Sequence, residues 1–175
     1  MKLFLEKGLE GYATRYDSPI GGITLVSDGN SLTELQFAKG HNLPNYQDLP
    51  VFAETRRWLD LYFNGVKPDF IPPLNPQGTL FQQKVWQELH TIPYGQTTTY
   101  GAIAKRLNCR SAQAVGQAIH RNPIAIIIPC HRVIGADGSL TGYAAGLGIK
   151  QQLLKLEKPC PIPPPPSSPQ RQPHC

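Results

Sequence analysis

The chain of 175 residues is 40% hydrophobic, which is enough apolar material for one domain or two small ones. It has no apolar run of bilayer-spanning length, and its first residues become charged too soon for a secretory signal. We therefore expect neither a membrane partner nor a secreted protein. The formal net charge of +5 is uneven, with −2 over residues 1–75 and +6 over residues 76–158. A basic second half suits a polyanionic partner.

The first 75 residues predict an N-terminal α/β domain with a small antiparallel sheet. Turn-forming residues separate three short strands, which are expected over 14–16, 23–27 and 32–37. Residues 41–50 are polar and interrupted by proline, so they predict a loop. Apolar side chains recur at helical spacing over residues 51–64, and Gly65 suits the end of that helix.

Residues 67–78 are rich in proline and predict a connection to a second, mostly helical domain over 76–158. Helices are expected there over 79–90, 100–107, 112–121 and 150–158. Thr99 and Ser111 are candidate N-caps for the second and third of these. The tight turn between them predicts a helix-turn-helix, although an ordinary helical hairpin gives the same pattern. The predicted fold class is α+β, with a winged-helix-like C-terminal domain.

The last stretch, residues 159–175, contains eight prolines. Such a composition cannot form a packed core, and it predicts a disordered, proline-rich tail. The four cysteines, at positions 109, 130, 160 and 175, show neither metal spacing nor a disulfide framework. We therefore expect a reducing, intracellular and cytoplasmic setting.

The chemistry is expected in the segment Ile126–Val133. Its three isoleucines predict a short buried strand, and Pro129, which cannot donate to a sheet, predicts the end of that strand. Cys130 and His131 follow directly, so a thiol nucleophile adjoins a candidate base. A buried cysteine is more often a small core residue. Here the adjacent histidine and the preceding helix-turn-helix favour a functional thiol.

This segment resembles the active-site motif of the O6-alkylguanine-DNA alkyltransferases. The string Pro-Cys-His-Arg-Val at 129–133 stands among further matches, which are Tyr16–Gly21, Phe81–Trp86, Thr99–Gly101, Arg121–Pro123, Thr141–Leu147 and Lys150–Glu157. The resemblance implies DNA repair by direct transfer of an alkyl group, typically methyl, from O6 of guanine in double-stranded DNA to Cys130. It also implies activity on O4 of thymine. The protein would be consumed in one turnover, would need no cofactor and would act as a monomer.

The resemblance assigns roles to individual catalytic residues. Cys130 accepts the alkyl group, His131 activates the thiol through a bound water, and Glu157 supports the charged imidazole. Tyr100 donates a proton to the leaving guanine, although plain helix packing explains a tyrosine there equally well. No metal is expected, because zinc-binding members take Cys ligands from the N-terminal domain and this chain has none before Cys109.

A second set of residues is expected to hold DNA and the target base, which must leave the duplex to reach the thiol. Asn122 would buttress the active-site turns, and Val133 would offer its carbonyl to the guanine amine. Tyr143 and Ala144 would line the base pocket.

One position departs from the family. Gln113 stands where an arginine usually fills the gap left by the extruded base, and glutamine is shorter and neutral. Arg110, three positions earlier, is a candidate substitute, although a cap at Ser111 would place it outside the helix.

Two other functions fit parts of the pattern. One is a DNA-binding regulator or alkylation sensor with little duplex repair activity. The other is a thiol hydrolase, which would release product repeatedly. Cys130 retained together with His131 and Glu157 argues against a protein that only binds DNA. A DNA-repair alkyltransferase is the favoured hypothesis, located with the nucleoid if the source is a bacterium.

Overall fold

The structure is a computed structural model that describes residues 3–4, 10–37 and 49–158. One antiparallel sheet has the strand order β1-β2-β3-β4. Its strands are β1 (Leu3–Phe4), β2 (Glu10–Ser18), β3 (Gly21–Ser27) and β4 (Leu32–Phe37). The three predicted strands are confirmed, with β4 at the predicted bounds and the other two longer. The loop predicted for 41–50 lies almost wholly outside the described residues, as does the tail at 159–175.

A single helix covers the sheet. Helix α1 (Pro50–Phe63) confirms the predicted helix and lies against β2, β3 and β4. Proline at its first position is compatible with a helix start, since that N–H has no intrahelical partner. Phe52, Leu59 and Tyr62 on its inner face are fully buried. This apolar face holds α1 on the sheet.

The second half is helical, as predicted. Its elements are α2 (Leu80–Leu89), β5 (Thr98–Thr99), α3 (Tyr100–Arg106), α4 (Ala112–His120), β6 (Val133–Ile134) and α5 (Leu147–Leu156). Thr99 accepts from the amide of Ala102, and Ser111 accepts from that of Ala114, which confirms both predicted caps. The two-residue strands β5 and β6 pair in parallel. Within the described ranges, no helix is long and apolar enough to cross a bilayer.

The two halves share one core. Buried side chains from the sheet, α1 and the helices of the second half form a single hydrophobic cluster. The proline-rich connection runs along the edge of β4, where the Leu32 amide donates to the Pro73 carbonyl and the Asn75 amide to the Leu32 carbonyl, each at 2.8 Å. The second half is therefore fixed against the N-terminal sheet.

The predicted strand over Ile126–Ile128 is wrong. These residues are buried as expected, but they form turns, and Ile126 has a left-handed φ of +69°. Local hydrogen bonds replace a sheet partner, since the amide of Ile128 donates to the Ile124 carbonyl at 3.1 Å. Only Ile124 makes a β-bridge in this part of the described chain, to Leu35. The apolar run therefore predicted the burial of these residues correctly and their secondary structure incorrectly.

Candidate active site

Cys130 opens a short 3₁₀ turn, Cys130–Arg132, directly after Pro129. Its thiol is buried, with 7% of the residue exposed. The side chain of Asn122 donates from Nδ2 to Cys130 Sγ at 3.1 Å and to the Ile128 carbonyl at 2.8 Å. Burial raises the pKa of the Cys130 thiol, and the hydrogen bond from Asn122 opposes that rise. The thiol is therefore protonated at rest and needs a base before it can attack.

His131, the predicted base, is held by Glu157. Its Nε2 lies 2.7 Å from Glu157 Oε1, and both side chains are fully buried. A carboxylate only accepts, so Nε2 carries the proton and Nδ1 presents a lone pair. Nδ1 is buried and has no hydrogen-bond partner among the described residues. Burial lowers the pKa of His131 despite the neighbouring carboxylate. The resting imidazole is therefore neutral and able to accept a proton.

Glu157 caps α5 and is held from several directions. Tyr62 Oη donates to Oε1 at 2.8 Å, Arg132 donates to both oxygens at 2.8 and 3.0 Å, and the Gly95 amide donates to Oε2 at 3.2 Å. Burial opposes ionisation of this carboxyl, but the hydrogen bonds from His131 and Arg132 outweigh it and lower the pKa of Glu157 to about 2. Glu157 is thus an ionised anchor for the imidazole.

Lys150 is a buried cation that the sequence analysis missed. It is fully buried, and its Nζ donates to the carbonyls of Val133 and Thr141, each at 2.6 Å. Burial lowers the pKa of Lys150. The Val133 carbonyl, predicted to meet the guanine amine, therefore already accepts one hydrogen bond.

A small cavity of about 10 Å³ lies at the thiol, which is room for roughly one water molecule. Its lining residues are Gln36, Ile119, His120, Asn122, Ala125, Cys130, Gly142, Tyr143, Ala144 and Ala145. Tyr143 and Ala144 thus lie beside the thiol, where the base pocket was predicted. A purine is larger than this space. Gly142 and Gly146, at the two ends of the segment that carries Tyr143 and Ala144, both have positive φ.

An open groove of about 640 Å³ runs along α4 and meets the thiol cavity at His120 and Gly142. Tyr100 and Gln113 both line it. Tyr100 Oη donates to the Thr141 carbonyl at 3.3 Å. Arg110 is exposed, precedes the Ser111 cap and does not line the groove, so the structure does not bring it to the position of Gln113.

Metal binding was not expected from the sequence. Among the residues described by the structure, no group of three or more His, Cys, Asp or Glu side chains is arranged to hold a metal ion. The absence of a metal in the complete protein stays a prediction.

Comparison with known proteins identifies relatives over nearly the whole described chain. Residues 12–76 match the ribonuclease-like domain of 6-O-methylguanine DNA methyltransferase, and residues 80–159 match its DNA binding domain. A protein of Methanosarcina acetivorans is 50% identical over 155 residues, covering 85% of this chain and 99% of that protein. One of Haemophilus influenzae is 47% identical over 154 residues, covering 84% and 86%. Both are named methylated-DNA–protein-cysteine methyltransferase.

A solved structure agrees with these sequence relatives. Mycobacterium tuberculosis OGT in complex with DNA matches with a TM-score of 0.76 and 45% identity, covering 84% of this chain and 92% of that one. The fold and the site together define an α+β protein in which a buried cysteine lies beside an open groove along α4. The chain belongs to the 6-O-methylguanine DNA methyltransferase family, as its resemblance predicted.

Proposed function

We propose that this protein repairs DNA by transferring a methyl or other alkyl group from O6 of guanine to Cys130. The observation that carries the proposal is the arrangement next to Cys130. The adjacent His131 has no hydrogen-bond partner at Nδ1 among the described residues, and its Nε2 lies against the ionised Glu157. The groove along α4, next to the thiol cavity, supplies a surface for DNA.

Activation of the thiol begins with His131. The imidazole takes the thiol proton at Nδ1, through a bridging water, and Glu157 stabilises the resulting imidazolium. Asn122 Nδ2 then donates to the thiolate at the sulfur it already contacts. An N–H donor favours the charged form of its partner, so this contact lowers the cost of ionisation.

The transfer step breaks the bond between guanine O6 and the alkyl carbon and forms a bond from that carbon to Cys130 Sγ. The leaving guanine needs a proton, and the Tyr100 phenol at the groove is the proposed donor. The Val133 carbonyl, steadied by Lys150, would accept from the exocyclic amine. The thioether product is stable to hydrolysis, so the thiol is not regenerated and each molecule acts once.

The proposed substrate also indicates the binding partner of the protein and its location in the cell. The proposed substrate is double-stranded DNA carrying O6-alkylguanine, with O4-alkylthymine as a second lesion, and the protein acts as a monomer. Such a substrate would place the protein inside the cell, at the nucleoid in a bacterium. A regulator that only binds damaged DNA would not need the buried thiol, imidazole and carboxylate set, and a hydrolase would have to regenerate its thiol.

The acceptor assignment is tested by peptide mapping after incubation with DNA that contains O6-methylguanine. We expect the methyl group on Cys130 and no transfer by Cys130→Ala. Cys109→Ala is the matched control, because Cys109 is half-buried in the turn between α3 and α4, and it should transfer normally. Methylation of Cys109 or Cys160, with transfer surviving in Cys130→Ala, would contradict the assignment.

A further inference from the structure

The N-terminal sheet contacts the segment that leads to Cys130 along the outer edge of β4. The amide of Leu35 donates to the Pro123 carbonyl at 2.9 Å, and the amide of Ala125 donates to the Leu35 carbonyl at 2.8 Å. This bridge fastens the turn that leads to Cys130 onto the last strand of the sheet. The position of the nucleophile therefore depends on a strand from the other half of the chain.

Gln36, the next residue on β4, adds a side-chain link. Its Nε2 donates to the carbonyl of Asn122 and to that of Pro123, each at 2.9 Å. Asn122 in turn donates from its own side chain to Cys130 Sγ at 3.1 Å. Gln36 also lines the small cavity at the thiol. A continuous path of hydrogen bonds thus runs from β4 to the sulfur.

We propose that Gln36 is a positioning residue that sets the reactivity of Cys130 by fixing the backbone of Asn122, an inference that rests on the proposed alkyl transfer. Gln36 acts through Asn122 and not on the sulfur itself. The Asn122 amide must point at the sulfur when the thiolate forms, and hydrogen bonds are steeply sensitive to angle. Without Gln36, the Asn122 carbonyl loses this hydrogen bond, and a tilt of the Asn122 peptide would weaken donation from its side chain to the thiolate.

A role limited to holding the two halves together predicts a different result. Loss of Gln36 would then lower the melting temperature and leave the acidity of the Cys130 thiol unchanged. The pH profile of thiol reactivity separates the two roles, because it reports on ionisation of the sulfur and not on the stability of the fold.

The experiment measures the rate at which iodoacetamide modifies Cys130 as a function of pH, followed by peptide mass. Gln36→Met keeps an unbranched chain of similar length and removes both donor hydrogens, whereas Gln36→Lys keeps a donor. Asn75→Ala is the matched control, since it removes a different side-chain bond, Asn75 Nδ2 to Asp28 Oδ2 at 2.9 Å, beside the same strand. Transfer from O6-methylguanine DNA is measured in parallel at neutral pH.

We expect Gln36→Met to shift the midpoint of the profile upward by about one pH unit, the scale of a weakened hydrogen bond to a charged group. Transfer at neutral pH should slow up to about tenfold, the loss of thiolate that such a shift produces. Asn75→Ala should stay close to the unsubstituted protein, and Gln36→Lys should not shift the midpoint upward, because it keeps a donor and its positive charge favours the thiolate. Gln36→Leu, which removes both donor hydrogens without adding a charge, should shift the midpoint in the same direction as Gln36→Met and supplies the test should that variant fail to fold.

An unchanged midpoint in Gln36→Met or Gln36→Leu, or an equal shift in Asn75→Ala, would overturn the inference. The two proposals can fail separately. If no protein transfers alkyl groups from DNA but the midpoint still moves in Gln36→Met, then the proposed function is wrong and the positioning role of Gln36 stands. If transfer occurs and the midpoint does not move, the function stands and the positioning role is lost.

Discussion

At the scale of single residues, the site depends on keeping Glu157 charged inside the protein. Arg132 donates to both of its oxygens, and Tyr62 and His131 meet at Oε1. A buried ion of this kind is tolerated only when its lone pairs are satisfied. The carboxylate can then stabilise an imidazolium without needing water.

Acid should destabilise the protein through this residue. The pKa of Glu157 falls from its ordinary value of 4.5 to about 2 on folding. Its contribution to the free energy of unfolding is therefore present above about pH 4.5 and lost as pH falls toward 2, a change of roughly 3 kcal/mol. Urea unfolding of Glu157→Gln should show a lower stability at pH 7 and a shallower loss between pH 4.5 and 3. A variant that loses stability in acid as steeply as the unsubstituted protein would show that Glu157 is not the group that titrates.

The same substitution should slow the chemistry. Without the carboxylate, the positive form of His131 is less stable, so Glu157→Gln should reduce single-turnover transfer by about 10²-fold, the lower end of what a positioned base contributes. DNA affinity should change little. Glu88→Gln is the control, because Glu88 pairs with Arg106 outside the site and should leave transfer intact. Unchanged transfer by Glu157→Gln across neutral pH would remove Glu157 from the mechanism.

Gln113 gives a further prediction at this scale. It lines the groove on α4, and the family resemblance predicts that it occupies the position of an arginine that fills the gap left by the extruded base. Gln113→Arg should speed transfer from duplex DNA more than transfer from free O6-methylguanine, because stacking in the gap is worth roughly 1–3 kcal/mol. The measurement is a pair of single-turnover rates for each variant at one salt concentration.

Gln117→Arg is the matched control for charge, since Gln117 lines the same groove one turn further along α4. It adds the same positive charge without reaching the proposed gap. Equal effects of Gln113→Arg on both substrates, or equal effects of the two variants, would show that residue 113 is not the gap-filling position.

At the scale of elements, α4 begins at a side-chain cap. Ser111 Oγ accepts from the Ala114 amide at 3.1 Å and satisfies one of the free donors at the start of the helix. Ser111→Ala should lower the free energy of unfolding by about 1 kcal/mol, and Ser111→Asn, which retains a cap, should not. Urea midpoints of the two variants make the comparison. Equal midpoints would mean that the cap contributes nothing to the stability of α4.

The sequence predicted best those elements that depend on interactions between residues close together in the chain. Thr99 and Ser111 mark helix starts through bonds to residues three positions away, so their helices were predicted nearly to the residue. The strand predicted for the isoleucines at 126–128 was wrong, because these residues form local turns. Hydrophobicity alone does not distinguish a buried turn from a buried strand. Burial depends on composition, whereas pairing depends on what lies opposite in space.

The site shows the same division. Cys130, His131 and Glu157 were predicted because they stand in two segments of the second half, 129–133 and 150–157, that match the family. Tyr62 contacts Glu157 from 95 positions away, and Gln36 reaches Asn122 from 86 positions away. No local pattern marks such partners. Lys150 lies in a matched segment, but nothing in the sequence marked it as buried, since lysine is normally exposed.

At the scale of the whole molecule, the buried hydrophobic side chains of the described residues form one core cluster. The proline-rich tail at 159–175 carries none of the motif residues. Truncation after Pro159 should therefore leave both the melting temperature and alkyl transfer unchanged. Loss of either property in the truncated protein would mean that the tail contributes to the fold or the site.

If the proposed function is right, each protein molecule takes one alkyl group onto Cys130 and then reacts no further. Intact mass, measured during titration with DNA containing O6-methylguanine, tests this directly. We expect the methylated fraction to rise in proportion to the lesion added and to stop at one methyl group per protein, with excess lesion left in the DNA. Continued loss of lesion with the protein mass unchanged would mean that the thiol is regenerated and that the protein is not a single-turnover acceptor.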